Sequence, residues 1–252
     1  MAEQPSKLLD RRQALSALGV LGIGAIAAAC SSGTSSSGAA STSTSTSSSS
    51  TTGTSGSSSA ASGSASCTLT PEATEGPFYL DINDVRQDIT EGKAGAPLAL
   101  SINVVDASKC SAIKDAAVDV WHCDAGGTYS GVQGSSGTTF LRGTQLTDAN
   151  GTATFDTIYP GWYQGRAVHI HMKVHVSNDV VHTGQLFFDD SLSDQVFQNS
   201  PYNSKGTRDM RNEDDSIFSD AGGSSAIVPV TGSGGNYSGS ITVGVKTSST
   251  QA

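Results

Sequence analysis

The chain lacks an apolar run long enough to cross a bilayer as a helix: its longest, Ala14 to Ala29, has 16 residues against the roughly 20 required. Basic residues are also scarce, with 14 Lys and Arg against 23 Asp and Glu and a formal charge of −9. An acidic surface repels phosphate backbones and anionic lipid, which excludes nucleic acid as a partner. There is no internal repeat and no glycine-rich loop of the kind that cradles phosphate. Nor does any long stretch after residue 66 show a helical period. What is left is a β pattern and a small set of histidines and tyrosines.

The apolar run belongs to an N-terminal address. Residues 7–30, KLLDRRQALSALGVLGIGAIAAAC, have a basic front at Arg11 and Arg12, then the apolar stretch, then small residues before Cys30. This is the pattern of an export signal, so residues 1–29 are excluded from the fold. Arg11 and Arg12 followed by Leu15 resemble a twin-arginine signal. AAAC resembles a lipoprotein cleavage site, with Ala27 where leucine is usual, and would leave Cys30 as a lipidated N-terminus. Residues 30–66 are almost wholly Ser, Thr, Gly and Ala after Cys30, with nothing to repay the entropy of ordering, and read as a flexible tether. The expected protein sits outside the cytoplasmic membrane, anchored at the cell surface, and touches lipid only through Cys30. A twin-arginine route carries folded proteins, so a metal can be loaded before export.

The expected folded domain is 67–252, ample for one buried core. Losing residues 1–29 removes three basic and two acidic residues and takes the charge from −9 to −10. Cys67, Cys110 and Cys123 then stand in an oxidising compartment, where one disulfide and one odd thiol are expected. Cys110 and Cys123 flank one strand and would sit far apart, so Cys67 is expected to join one of them. Strands are expected at 97–107, 116–123, 140–147, 152–158, 167–176, 183–188 and 239–246, with DANG at 148–151 as a hairpin between the third and fourth. This is an all-β chain, a β-sandwich of about seven or eight strands with long loops at its site. SLSDQVFQ, 191–198, is expected to form a short helix in a polar excursion between Asp189 and Gly235.

Within YPGWYQGRAVHIHMKV, 159–174, His169 and His171 are two residues apart on a strand and leave the same face, while Val168, Ile170 and Met172 leave the other. The pair is a preformed bidentate site, although two structural histidines would have the same spacing. Tyr163 follows a proline-glycine turn, where a loop can fold its phenol back toward the histidines. In DVWHCDAGGTYSG, a strand runs into Gly126 and Gly127, which let backbone approach a site closely, and Tyr129 follows.

Taken together, DVWHCDAGGTYS, LTDANGTATFDTIYPGWY, GRAVHIHMKV and GQLFF resemble the intradiol ring-cleavage dioxygenases, the group of the protocatechuate and catechol dioxygenases, extracellular members above all. TPEATEGPFY, 70–79, is similar to the segment leading into that family's domain. The resemblance implies a mononuclear non-haem Fe(III) held by Tyr129, Tyr163, His169 and His171, with Tyr163 displaceable and Tyr129 permanent. It implies active-site roles for Arg166 and Gln185. The substrates it implies are a small aromatic diol and O2, and the product a muconate-type diacid.

Phenol has a pKa of about 10 and coordinates at neutral pH only beside a strong Lewis acid. Two phenolates and a hydroxide balance a trivalent cation, leaving neutral imidazoles to complete the site. The other reading is a non-catalytic extracellular β-sandwich that binds sugars or phenolics. Arg166 could instead pair with Asp124 or Asp189. His122 is expected to be supporting or structural, and His175 and His182 solvent-facing or structural. Trp162 is a candidate to line the ring pocket, and NEDD, 212–215, is expected to be a solvated loop.

Overall fold

The computed structural model describes residues 68–247 except Gln133 and Asn178. The export signal, the tether, Cys30 and Cys67 lie outside the described residues. Among those described, no helix is long and apolar enough to cross a membrane.

Alternation of apolar side chains builds two sheets. In β1 (Pro97–Asp106), Leu98, Leu100, Ile102 and Val104 are buried between more exposed neighbours, the period of a strand with one face in a core. β1 pairs in parallel with β9 (Asn236–Val245), which is edged by β8 (Val230–Ser233). On its other side β1 pairs antiparallel with β5 (Thr152–Ile158) and with the two-residue β2 (Ser111–Ala112). The second sheet is antiparallel, in the order β4 (Arg142–Leu146), β3 (Ala117–Trp121), β6 (His169–Val176), β7 (Asp179–Phe187).

Val118, Val120, Ile170, Met172 and Val174 join the β1 side chains and Phe155 in one apolar cluster, each contributing about 1.5–3 kcal/mol for a fully buried side chain. β6 is buried on both faces. Its core face is apolar, so its histidine face must be covered by something else. Residues 73–79 cross it as a strap. Ala73 N donates to Thr183 O at 3.0 Å, Gln185 Nε2 to Thr74 O at 2.8 Å and Tyr79 Oη to Asp119 Oδ2 at 3.0 Å, and Lys173 pairs with Glu75.

The seven expected strands all form, and the architecture is the all-β sandwich. β2 and β8 are additional. DANG makes a tight turn, with Gly151 N donating to Asp148 O at 3.0 Å and Gly151 at φ +77°, but it is not a hairpin. β4 pairs with β3 and β5 with β1, so the turn carries the chain from one sheet to the other. Turn chemistry fixes a local reversal; the apolar faces of the flanking strands choose their partners. The excursion after Asp189 holds α1 (Asp190–Val196), where SLSDQVFQ was expected to be helical, and α2 (Ser216–Asp220). Asp189 caps α1 by accepting from Ser191 N and Leu192 N.

Candidate metal centre

His169 and His171 point from the same face of β6, and the sheet register gathers the rest around them. Trp121 of β3 is opposite His171 on one side, and Gln185 of β7 on the other. The chain leaving β3 at Trp121 turns at Gly126 and Gly127 and returns with Tyr129. The chain leaving β5 passes Pro160 and Gly161 without the expected turn, presents Tyr163, and only then turns, at Gln164 and Gly165, with Arg166 N donating to Tyr163 O at 3.3 Å. These two loops touch: a Cβ on Gly127, at φ +85°, would stand 2.2 Å from Trp162 O, and one on Gly161 would stand 2.3 Å from Asp124 O. Only glycine fits at either contact.

Around His169 Nε2 lie His171 Nε2 at 3.0 Å, Tyr163 Oη at 3.2 Å and Tyr129 Oη at 3.5 Å. The four side chains named from the sequence therefore meet at one point. His169 Nδ1 is 2.7 Å from Ala167 O, and since a carbonyl only accepts, Nδ1 carries the proton and Nε2 presents its lone pair to the centre. Burial lowers the His169 pKa to about 3, with Arg166 adding to the effect, and pushes His171 well below its usual value, with His169 adding to it. Burial likewise raises both phenols, Tyr129 far above its usual 10. Without a cation, then, the site holds neutral imidazoles and neutral phenols.

The donor set fits a hard, highly charged metal ion. Donors held about 2.1 Å from one cation and about 90° apart lie about 3 Å from one another, the spacing seen around His169 Nε2. His171 turns Nε2 to the same point as His169 Nε2, while its Nδ1 is buried on the far side of the ring without a protein partner. Among the described residues no three His, Cys, Asp or Glu side chains gather as ligands, so a cation here would need the phenols. Phenolate oxygens favour a trivalent ion, and Fe(III) is the abundant one of that kind.

Arg166 stands at the rim with Nη1 3.4 Å from Tyr163 Oη. Its ion pair is with Asp215, Nε to Oδ2 at 2.9 Å, rather than with Asp124 or Asp189. Asp124 pairs with Lys93, and Asp189 is used as the cap of α1. Asp215 also accepts from Ala167 N and Ile217 N, and its side chain is 3% exposed, so this end of NEDD is buried structure and not a solvated loop. Gln185 is committed at both ends, accepting from Arg166 Nη2 at 2.5 Å and donating to Thr74 O.

The remaining histidines are structural. His122 bonds Cys123 O and Thr157 Oγ1, both at 2.8 Å. His175 is 2.8 Å from Asp119 Oδ2, and His182 is 1% exposed, so neither faces solvent. Cys110 is disulfide-bonded and Cys123 is a free buried thiol, so the partner of Cys110 lies outside the described residues. A cavity of about 220 Å3 opens beside the phenols, lined by Phe78, Gly127, Thr128, Tyr129, Val132 and Tyr163. Trp162 does not line it. Phe78 stacks on Tyr129 with centroids 4.5 Å apart, a role that EGPFY gave no means of assigning to one residue. Asp215 was equally hidden, because 48 residues separate it from the amide it accepts from.

A family model described as dioxygenase matches residues 74–218. Among solved structures, the intradiol ring-cleavage dioxygenase from Tetranychus urticae is 37% identical at a TM-score of 0.68, covering 71% of this chain and 95% of that one. The dioxygenase domain of a carbohydrate-binding fusion from Streptomyces sp. SirexAA-E is 27% identical at 0.56, covering 71% and 99%. Catechol 1,2-dioxygenase from Acinetobacter sp. ADP1, 20% identical at 0.52 over 71% and 63%, shares the fold. No curated protein sequence matches. Fold and family model together define a dioxygenase of the β-sandwich class. Within it, the chain belongs to the intradiol ring-cleavage dioxygenases.

Proposed function

We propose that the chain is a ferric intradiol dioxygenase that uses O2 to open catechol-type rings between the two hydroxylated carbons, giving muconate-type diacids. The observation that carries this reading is the gathering of two phenol oxygens and a second imidazole nitrogen within 3.5 Å of His169 Nε2. Tyr129, Tyr163, His169 and His171 would hold Fe(III), which when bound supplies the Lewis acidity that keeps both phenols ionised and activates a catechol toward O2.

The protein's own groups divide the remaining work. Tyr129 is 4% exposed and stacked on Phe78, which suits a permanent ligand. Tyr163 is less buried and sits against Arg166, which suits the ligand that leaves and accepts a catechol proton on Oη. Arg166, held by Asp215 and Gln185, presents a fixed cation to negative charge developing on the ring. A cavity of about 220 Å3 is small beside drug-sized pockets and suits a single ring. The address belongs to the same reading: export by the twin-arginine signal, with Cys30 lipidated and residues 30–66 as the tether.

Iron-loaded protein with a panel of catechols tests this. Oxygen uptake and a visible phenolate-to-iron band are expected. One iron per chain with no visible colour would remove the two tyrosines from the metal and sink the reading.

A further inference from the structure

We infer that Lys205 is a positioning residue that ties the two phenol-bearing loops together and sets the separation of Tyr129 and Tyr163. The inference rests on the reading of those tyrosines as a ligand pair. Lys205 lies far along the chain, in the excursion after α1, and ends a short helical turn at 202–205. Its Nζ donates to Gly126 O and to Trp162 O, each at 2.6 Å, and stands 4.7 Å from the Trp162 ring. Gly126 belongs to the turn that delivers Tyr129. Trp162 is the residue before Tyr163.

Where the two loops meet, both direct carbonyl oxygens at the same place, an arrangement that repels unless a donor lies between them. The ammonium supplies that donor with a full charge, so each bond is of the stronger, charge-assisted kind. Gly127 makes the room, since a Cβ there would stand 2.1 Å from Nζ. The helical turn is itself anchored on the Tyr163 side: Tyr202 is buried and its Oη donates to Tyr159 O at 2.7 Å and accepts from Ala96 N. Tyr202 thus fixes where Lys205 starts, and Lys205 bridges to the other loop. With the bridge removed, the loops keep their glycine contacts but lose the cation between their carbonyls. The Tyr129 and Tyr163 oxygens then no longer have a fixed spacing.

Lys205→Met and Lys205→Arg, loaded with Fe(III), test this through affinity and the visible band. Lys205→Met is expected to bind iron about 10- to 100-fold more weakly, as do other losses of support behind a ligand. Its band should be shifted or broadened, because the two phenolates are no longer equivalent in geometry to those of the wild type. Lys205→Arg, which keeps a cationic donor, is expected to recover part of the affinity. A lysine that only stabilised the fold would lower the melting temperature while leaving the band of the folded, iron-loaded fraction in place, and that result would overturn the inference. Wild-type affinity in Lys205→Met would do the same. Should the Met variant fail to fold, Lys205→Gln, which keeps one uncharged donor, carries the same comparison. A wild-type protein that binds iron without a visible band would overturn the ligand reading and this inference together, whereas a normal wild-type band unmoved in the variants overturns this inference alone.

Discussion

Trp121 lies flat against His171, ring centroids 4.9 Å apart and planes 5° from parallel, so the imidazole has a wall on the side facing β3. Trp121 is 1% exposed, and Trp121→Ala is expected to cost about 3–5 kcal/mol in chemical denaturation. Freed from its wall, His171 should also hold metal more weakly, by about 10- to 100-fold in competition with a chelator.

Tyr163→Phe separates metal binding from chemistry. Three ligands remain, so iron stays at about one per chain, while kcat/KM for a catechol falls by about 10²- to 10⁴-fold because a proton acceptor is lost. Unchanged kinetics would take Tyr163 out of the acceptor role.

Asp215→Asn leaves the Arg166 guanidinium without its buried counter-charge. Breaking such a pair from one side costs about 3–5 kcal/mol, to be read from urea midpoints. With Arg166 held by Gln185 alone, kcat should fall while iron content is kept, a split that metal analysis alongside steady-state kinetics would show.

The metal-free protein should be acid-sensitive through its buried histidines. Burial lowers His122 to about 4 and His169 to about 3, both below the usual 6.5. Between those values and 6.5 the unfolded chain binds protons that the folded chain refuses, so stability is full above pH 6.5 and is lost as the pH falls toward 4. Each histidine contributes a slope of about 1.4 kcal/mol per pH unit. Calorimetry at pH 5.5 in buffers of different ionisation enthalpy should register uptake of about two or more protons on unfolding. Uptake below one would show that these imidazoles are charged in the fold.

Burial also raises the Cys123 thiol to about 12, so it should resist alkylation in the native protein. After denaturation without reductant it should label, while Cys110 stays protected by its disulfide, as peptide mass mapping would reveal.

The parts of this molecule that were readable in advance are those where information is local. The alternation around His169 and His171 placed both rings on one face, and the nearby proline-glycine pair pointed to Tyr163, although the turn itself falls after it, at Gln164 and Gly165. Tyr129, on another segment, needed the resemblance of four motifs in order. Asp215 and Lys205 escaped because their partners lie 49 and 79 residues away, at Arg166 and Gly126, and no local pattern records such a distance. The DANG turn shows the same limit: its chemistry fixed the bend, but only packing decided that β4 and β5 would join different sheets.

β6 gives Ile170, Met172 and Val174 to the core and His169 and His171 to the opposite face, so greasy and ligating side chains share one backbone in strict alternation. A slip of one residue in its pairing would turn the imidazoles inward among Leu100 and Phe155 and expose the aliphatic set to the phenols. Misthreaded chains therefore forfeit their interior and their donor cluster in the same stroke, and the act of folding proofreads the site.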